Sequence, residues 1–195
     1  MKTIADLHIH SRFSMATSKE GTPENLDFWA RKKGISLIGT GDFTHPVWRE
    51  ELKERLVAEG NGLYRLRDEY VKEESRKFPG KGTHFVVSGE ISSIYKKNGK
   101  TRKVHNVILL PSLETADTMA QRLEKIGNIH SDGRPILGLD SHDLLEMMLD
   151  VCPEGILIPA HIWTPHFSVF GAKSGFDSVE ECFEELTPYV HALET

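Results

Sequence analysis

Apolar and polar positions alternate in a stretch close to the start of the chain, Ala5-Asp6-Leu7-His8-Ile9-His10-Ser11. The alternation predicts a strand that places Leu7 and Ile9 on one face and His8 and His10 on the other. Two imidazoles on one face of a strand end can both reach a single metal ion. Two half-buried histidines that only pack in the fold would give the same pattern, so this motif does not decide by itself.

Further along, short apolar runs alternate with amphipathic segments, as in an α/β protein. Thr22-Pro23-Glu24 is typical of a helix start, Gly34 of a helix end, and Asn98-Gly99 of a hairpin turn. The pattern predicts strands over residues 4–9, 35–38, 85–95, 104–110, 155–161 and 190–193. It predicts helices over 22–34, 46–59, 115–126, 143–151 and 177–186, with an irregular excursion over 60–81 that holds a helix near 67–76.

The run Ile156-Leu157-Ile158 is continuously apolar, which is typical of a buried parallel strand. Polar side chains gather just after the predicted strands, where barrel and open α/β enzymes keep their active sites. A chain of 195 residues fits one domain with a sizeable core. The sequence therefore predicts one α/β domain whose functional site lies at the strand ends.

Composition adds little beyond this. The chain is 38% hydrophobic and 27% charged, with no apolar run long enough for a membrane span and no signal peptide pattern. Cys152 and Cys182 lie far apart without a CxxC spacing, which favours two reduced thiols and a cytoplasmic location. The net charge of −5 would become −5 + 4 = −1 with two bound divalent ions and −5 + 6 = +1 with three. The net charge therefore does not exclude nucleic-acid binding.

The ten histidines are unusual, and several of them follow strands together with carboxylates. Four predicted strand ends carry side chains of the types that bind metal ions. These candidate metal ligands are His8, His10, Asp42, His45, Glu90, His105 and His161. Such a mixture suits zinc, manganese or iron better than calcium or magnesium. A carboxylate such as Glu90 could bridge two ions at the spacing used for phosphoryl transfer.

Each candidate has an ordinary alternative. Asp42 could be a turn residue whose side chain bonds the backbone, and His45 could be the first residue of a helix. His105 could face solvent from a strand. Glu90 after Gly89, and His161 after an apolar strand, have fewer structural explanations, so the ligand interpretation is favoured for both.

Two further histidines could act in proton transfer. His142 stands in Asp140-Ser141-His142-Asp143, where a helix cap is the alternative, and His166 lies in a loop that could line the site. Cations also cluster at the predicted hairpin, where they either are solvated or bind phosphates. These candidate DNA-binding residues are Lys96, Lys97, Lys100, Arg102 and Lys103.

With these residues in hand, the chain resembles the polymerase-and-histidinol-phosphatase (PHP) superfamily of metal-dependent phosphoesterases. The likeness rests on His8-x-His10-Ser11, Gly89-Glu90, His105-Asn106-Val107-Ile108 and Ala160-His161, in that order. Within the superfamily, it resembles the endonuclease Q family. The stretches that carry this likeness are residues 5–14, Gly39-Thr40-Gly41-Asp42-Phe43-Thr44-His45-Pro46 and Ile158-Pro159-Ala160-His161-Ile162-Trp163-Thr164-Pro165.

The resemblance implies a distorted (β/α)7 TIM-like barrel of the PHP type. It implies two or three divalent ions, zinc before manganese or magnesium. It also implies cleavage of DNA on the 5′ side of deaminated nucleotides (hypoxanthine, uracil, xanthine) or abasic ones. By position the metal ligands are His8, His10, Glu90, His105 and His161, with Asp42 or His45 at the second strand. Asp42, His142 and His166 are the catalytic candidates.

The likeness has two departures. The superfamily usually has threonine-aspartate-histidine at the second strand, whereas Asp42 is followed here by Phe43, so whether Asp42 or His45 binds metal stays open. The aspartate-x-histidine near the last strand does not occur before Thr195. We therefore expect residues 1–195 to be a catalytic domain that lacks the C-terminal part of its barrel and any further domains. A phosphoesterase for a small phosphorylated metabolite and a non-catalytic platform domain are the alternatives.

Overall fold

The structure is a computed structural model that describes residues 3–78 and 82–195, so positions 79–81 of the predicted excursion lie outside it. Strands and helices alternate along most of the described chain. The strands are β1 (Ala5–Asp6), β2 (Leu37–Gly39), β3 (Leu56–Gly60), β4 (Leu63–Leu66), β5 (His84–Lys97), β6 (Lys100–Leu110), β7 (Ile136–Leu137) and β8 (Ile156–Pro159). The α-helices are α1 (Pro23–Lys33), α2 (Pro46–Arg55), α3 (Leu113–Glu124), α4 (Ser141–Val151) and α5 (Val179–Phe183).

The long strand β5 organises the sheet. Its first residues pair with β2 in parallel and with β4 in antiparallel fashion. Its remainder forms a long hairpin with β6, from Val87↔Leu110 to Lys97↔Lys100. β1 joins β2 in parallel, and β8 joins the far edge of β6. The α/β class is thus confirmed, as a curled mixed half-barrel sheet.

The prediction of a buried parallel strand over residues 155–161 was wrong in direction. β8 pairs with β6 antiparallel, Asn106 opposite Pro159 and Leu109 opposite Ile156. The cause is the β5–β6 hairpin, which turns β6 back, so that a strand in the direction of β5 must run antiparallel to its new neighbour. Ile156 is 38% exposed, so the apolar run is not buried on both faces.

The helix predicted over residues 46–59 ends at Arg55, and the chain continues as the β3–β4 hairpin. Gly60, Asn61 and Gly62 all have positive φ, of 89°, 54° and 76°, which makes a tight turn at that point. Asn61-Gly62 carries the same hairpin signal as Asn98-Gly99. The helix predicted near 67–76 consists of two short 3-10 helices, Asp68–Tyr70 and Glu73–Lys77.

Near the C-terminus, the helix predicted over residues 177–186 is split into α5 and a 3-10 helix, Glu184–Tyr189. The strand predicted over 190–193 does not form. The backbone of Glu194 nevertheless docks beside β8, because its N–H donates to the Pro159 carbonyl at 3.1 Å and its carbonyl accepts from Ile162 N–H at 2.9 Å. The end of this segment therefore lies next to His161.

The core lies between the sheet and helices α2, α3 and α4, and includes fully buried Phe43, Trp48 and Phe85. Trp48 also donates its indole N–H to the Gly41 carbonyl at 2.9 Å, which ties α2 to the loop after β2. Cys152 and Cys182 are buried free thiols. In the described ranges, no helix combines the length and the apolar character needed to span a membrane.

Candidate metal centre

The carboxylate of Glu90, in the middle of β5, is 1% exposed and lies at the centre of a ring of imidazoles. Four histidines place a ring nitrogen within 3.5 Å of one of its oxygens. The distances are 3.5 Å from His8 Nε2, 2.7 Å from His105 Nδ1 and 3.4 Å from His161 Nε2 to Oε1, and 3.3 Å from His10 Nε2 to Oε2.

His8 and His10 reach this position because they directly follow β1, and β1 lies close to β5 across β2. The approach depends on glycines. A Cβ at Gly39 would stand 2.4 Å from Ser88 Oγ and 2.5 Å from the Leu7 carbonyl oxygen, closer than packed atoms can come. The backbone therefore requires glycine in β2 for the strand ends to converge.

His105 and His161 come from β6 and from the end of β8, and the sheet holds them together. Ala160 N–H donates to the His105 carbonyl at 2.9 Å, and His105 N–H donates to the Phe167 carbonyl at 3.0 Å. The Phe167 ring packs on the His105 ring with centroids 4.8 Å apart. His105 Nδ1 and His161 Nε2 lie 3.3 Å apart, so both face the same point beside Glu90.

These five side chains form two groups that share one carboxylate, His8/His10/Glu90 and Glu90/His105/His161. Oε1 of Glu90 is buried and accepts no hydrogen bond, although His105 Nδ1 is 2.7 Å away, because the ring nitrogen does not have hydrogen-bond geometry. Unsatisfied buried carboxylate oxygens are costly. Ring nitrogens that converge on a buried carboxylate oxygen without satisfying it fit divalent metal ions better than they fit a complete hydrogen-bonded network.

The ionisable side chains of this cluster shift one another's pKa. Burial acts to raise the pKa of Glu90, but the four surrounding imidazoles outweigh it and hold that pKa well below its usual range. Burial acts to lower the pKa of His10, yet Asp42 and Glu90 raise it to about 9. The pKa of His8 is also raised, by Glu90 and Glu194. A raised pKa favours the protonated imidazole, whereas a metal ion binds the neutral ring, so metal binding should release protons.

Asp42 lies behind His10 and belongs to neither group. It is fully buried, and its φ is 50°. One oxygen faces His10 Nδ1 at 3.0 Å, and the other accepts from Ser11 N–H at 2.7 Å and Ser11 O–H at 2.6 Å. Both oxygens are therefore engaged away from Glu90, and the carboxylate fixes which His10 nitrogen faces the site.

His45, the other candidate for the second strand, is also outside the two groups. Its Nε2 bonds the His130 carbonyl at 3.0 Å, and its ring stacks on Phe13 with centroids 4.2 Å apart. Burial lowers its pKa. The geometry thus gives neither Asp42 nor His45 a direct position beside Glu90.

The structure brings in two residues that the sequence analysis did not select. Glu194 accepts from His8 Nδ1 at 2.9 Å and from His161 N–H at 2.8 Å. Arg134 places Nη1 3.4 Å from Glu90 Oε2. Glu194 follows a predicted strand, as His8, His10 and His161 do, which is a usable signal, whereas nothing in the loop around Arg134 indicates its position.

The two histidines considered for proton transfer, His142 and His166, do not contact Glu90. His142, at the start of α4, contacts Asp143 and Glu185 at 3.0 Å each, and these contacts raise its pKa against the effect of burial. It forms a separate group with Glu184 and Glu185. His166 is exposed in the loop after β8.

The register of the β5–β6 hairpin separates the five candidate DNA-binding cations. Directly paired residues of an antiparallel ladder share a face, so Lys96 and Lys103 lie on the face of Glu90 and His105, whereas Lys97, Lys100 and Arg102 lie on the other. Lys97 is held by Glu184 at 2.7 Å and Asp140 at 3.3 Å. Arg102 is 6% exposed. The cluster therefore does not act as one solvent-facing patch.

Two solved structures of endonuclease Q are similar to this chain over most of its length. The lesion-specific endonuclease EndoQ from Pyrococcus furiosus superposes with a TM-score of 0.75 at 27% identity over 94% of this chain. The chain resembles endonuclease Q. A structure of endonuclease Q with a 27-mer duplex that has an abasic lesion at the active site gives a TM-score of 0.72 at 27% identity over 93% of the chain. The chain spans 40% of each of these proteins.

The PHP fold is also matched more distantly. A candidate metal-dependent phosphoesterase from Bifidobacterium adolescentis superposes with a TM-score of 0.59 at 14% identity, over 98% of this chain and 77% of that protein, which shows the fold alone. An uncharacterized protein of Methanocaldococcus jannaschii is 35% identical over 82% of the chain, and the uncharacterized protein YqxK of Bacillus subtilis is 28% identical over 94%. The chain spans 16% and 46% of these two relatives. No family model matches the chain. The expected resemblance is thus confirmed.

Proposed function

We propose that this chain carries the catalytic centre of a metal-dependent endonuclease of DNA repair, which hydrolyses the phosphodiester 5′ to a deaminated or abasic nucleotide. The observation that carries the proposal is the buried Glu90 carboxylate, shared by two groups of metal-ligand type. The likeness to endonuclease Q over nearly the whole chain, and the abasic duplex in one of those structures, support the substrate.

The residues that would hold the ions are His8, His10 and Glu90 for one and Glu90, His105 and His161 for the other. Four imidazoles and one carboxylate favour zinc, with manganese or magnesium as alternatives. Bound ions would lower the pKa of a water molecule and neutralise charge on the phosphate and the leaving oxygen.

The chain's own residues then orient this chemistry. Asp42 accepts from His10 Nδ1 and Glu194 from His8 Nδ1, so in each ring Nε2 is left to face Glu90. Arg134 adds a permanent positive charge beside Glu90 Oε2, where an incoming phosphate oxygen would meet it. Asp42 does not suit a proton-shuttle role, because both of its oxygens are engaged.

The test is a nicking assay on labelled duplexes that contain deoxyinosine, deoxyuridine or an abasic site, with an undamaged duplex as control. Zinc, manganese and magnesium are supplied in turn, and Glu90→Gln serves as the matched inactive variant. We expect incision 5′ to the lesion that requires metal and is lost in the variant. If none of the lesion duplexes is cut with any of the three metals, the proposal is refuted. Hydrolysis of a phosphomonoester without cleavage of DNA would favour a metabolite phosphoesterase.

A further inference from the structure

A cavity of about 450 Å³ lies at the start of β6. It is lined by Lys100, Thr101 and Arg102 and by the loop over residues 170–177. The β5–β6 register places Lys100 and Arg102 on the face of the hairpin opposite Glu90, so this lining faces away from the metal centre. Small-molecule sites typically have volumes of about 300–1,000 Å³. The cavity therefore has room for a ligand of its own, distinct from any group that binds at Glu90.

The charge of the lining favours an anion. Lys100, Arg102 and Lys173 are cations and Asp177 is an anion, which gives a formal charge of +3 − 1 = +2. Lys100 and Lys173 are exposed at the rim, whereas Arg102 belongs to the inner wall. A phosphate monoester carries a charge of about −1.5 to −2 at pH 7. A dianion of this kind matches the charge of the lining, whereas a single carboxylate would leave half of it unmatched.

The inner wall depends on Arg102, a cation that is only 6% exposed. Its Nη1 donates to the Gly175 carbonyl, and its guanidinium carbon lies 4.1 Å from the centroid of the Phe176 ring. Its Nε is buried without a hydrogen-bond partner. Within the described ranges, these contacts of the guanidinium include no carboxylate. Buried charges are normally paired, so an anion in the cavity would supply negative charge that the contacts of Arg102 do not.

The loop opposite Arg102 is preformed. Phe176 N–H donates to the Val169 carbonyl at 2.6 Å, and Lys103 N–H donates to the Ser174 carbonyl at 3.2 Å, which fastens the loop to the edge of β6. A Cβ at Gly175 would stand 2.4 Å from Gly171 N, so the backbone packs on itself as closely as glycine allows. A site built in advance loses little entropy on binding.

We propose that the cavity beside Arg102 binds a phosphate dianion, either free or as the ester of a small molecule. A guanidinium has five N–H donors, and Gly175 accepts from one nitrogen, so donors remain for phosphate oxygens. Lys100 and Lys173 add positive charge from the rim. The proposal goes beyond the proposed function and does not depend on it, because it concerns the opposite face of the hairpin.

The experiment is an NMR titration of the metal-free protein. The resonances of Arg102 Nε–H and Gly175 N–H are followed during addition of inorganic phosphate and, separately, of ribose 5-phosphate, with ribose and sodium chloride at matched ionic strength as controls. We expect saturable shifts with the two phosphates and none with the controls. Tighter binding of the ester would identify a phosphorylated small molecule as the ligand, and equal or tighter binding of inorganic phosphate would identify the free ion. No saturable shift with either phosphate, or the same shift with sodium chloride, would overturn the proposal.

Two variants test which residues hold the phosphate, with Gly175 N–H as the reporter. Arg102→Gln should weaken binding at least about ten-fold, because it removes a charged donor from the inner wall. The double variant Lys100→Ala/Lys173→Ala should weaken binding several-fold, and it keeps the test valid where Arg102→Gln does not fold. The control is Lys33→Ala, an exposed lysine in the last turn of α1, which should change nothing. Unchanged affinity in the double variant, or in a folded Arg102→Gln, would contradict the assignment.

Discussion

Replacing Glu90 with glutamine is the sharpest test of the metal centre, because the change keeps the shape and removes the charge. Glu90 is 1% exposed and four imidazole nitrogens approach it. Since it is the one residue common to both candidate groups, the variant should weaken both ions at once. Any other single ligand belongs to one group, so its loss should leave the second ion in place.

The expected size follows from ligand number. Loss of a residue that only orients a ligand typically costs 10- to 100-fold in metal affinity. Loss of a direct ligand should cost at least the upper end of that range, about 100-fold or 2.7 kcal/mol, for each ion. The metal-free fold should persist, because glutamine fills the same space and the hydrogen bonds of the β5–β6 ladder do not involve this side chain.

The assay is equilibrium dialysis against buffered zinc, followed by elemental analysis, with thermal unfolding of the metal-free proteins as a check on the fold. His161→Ala is the matched comparison, since it belongs to the second group only. We expect Glu90→Gln to lose both ions and His161→Ala to lose one. Equal stoichiometry in Glu90→Gln and the unaltered protein would show that Glu90 does not bridge.

Three other outcomes can be measured independently. Asp42→Asn, which disturbs a carboxylate that only orients a ligand, should weaken one ion 10- to 100-fold in the same dialysis and leave the other unchanged. Contacts with Asp143 and Glu185 raise the pKa of His142 against the effect of burial, so they stabilise the fold fully below pH 6.5 and this contribution is lost as the pH rises through the folded-state value; His142→Ala should remove this pH dependence of unfolding, and an unaltered profile would contradict the assignment. Lys97→Ala should lower the free energy of unfolding by about 1–2 kcal/mol through its lost ion pairs, whereas Lys96→Ala should change it by less than about 0.5 kcal/mol, and chemical denaturation compares the two.

The parts of the fold that local chemistry determines could be predicted from the sequence. The helix α1 begins after Thr22, whose side chain accepts from Asn25 N–H, and ends at Gly34 with φ of 72°, as the capping residues indicate. The β5–β6 hairpin turns at Asn98-Gly99. The convergence of His8, His10 and His161 was also predictable, because side chains that follow neighbouring strands meet at one end of a sheet. Glu90 and His105 lie instead within β5 and β6, and the hairpin register places them on one face.

Features that depend on distant partners could not be predicted. The direction of β8 is set by its pairing with β6, which no residue within 155–161 encodes. Asp42 has the chemistry of a metal ligand and follows the second strand in the sequence, yet Ser11 and His10 bind its two oxygens. Lys97 looks like its neighbour Lys96 in sequence, but its side chain is held by Asp140 and Glu184, which are remote in the chain. Contacts between remote segments decide each of these cases.

The contacts of Glu194 show how the candidate centre depends on the far end of the described chain. One carboxylate accepts from the side chain of His8 and from the backbone of His161, which are members of different groups. It therefore fixes the tautomer of a ligand in the first group and the backbone position of a ligand in the second. The segment that carries it has no strand pairing of its own and is fastened by the backbone bonds between Glu194 and β8 and its following loop. Because so few bonds hold it, occupancy of the centre and docking of this segment should stabilise each other, as expected when ligands on separate elements are ordered together.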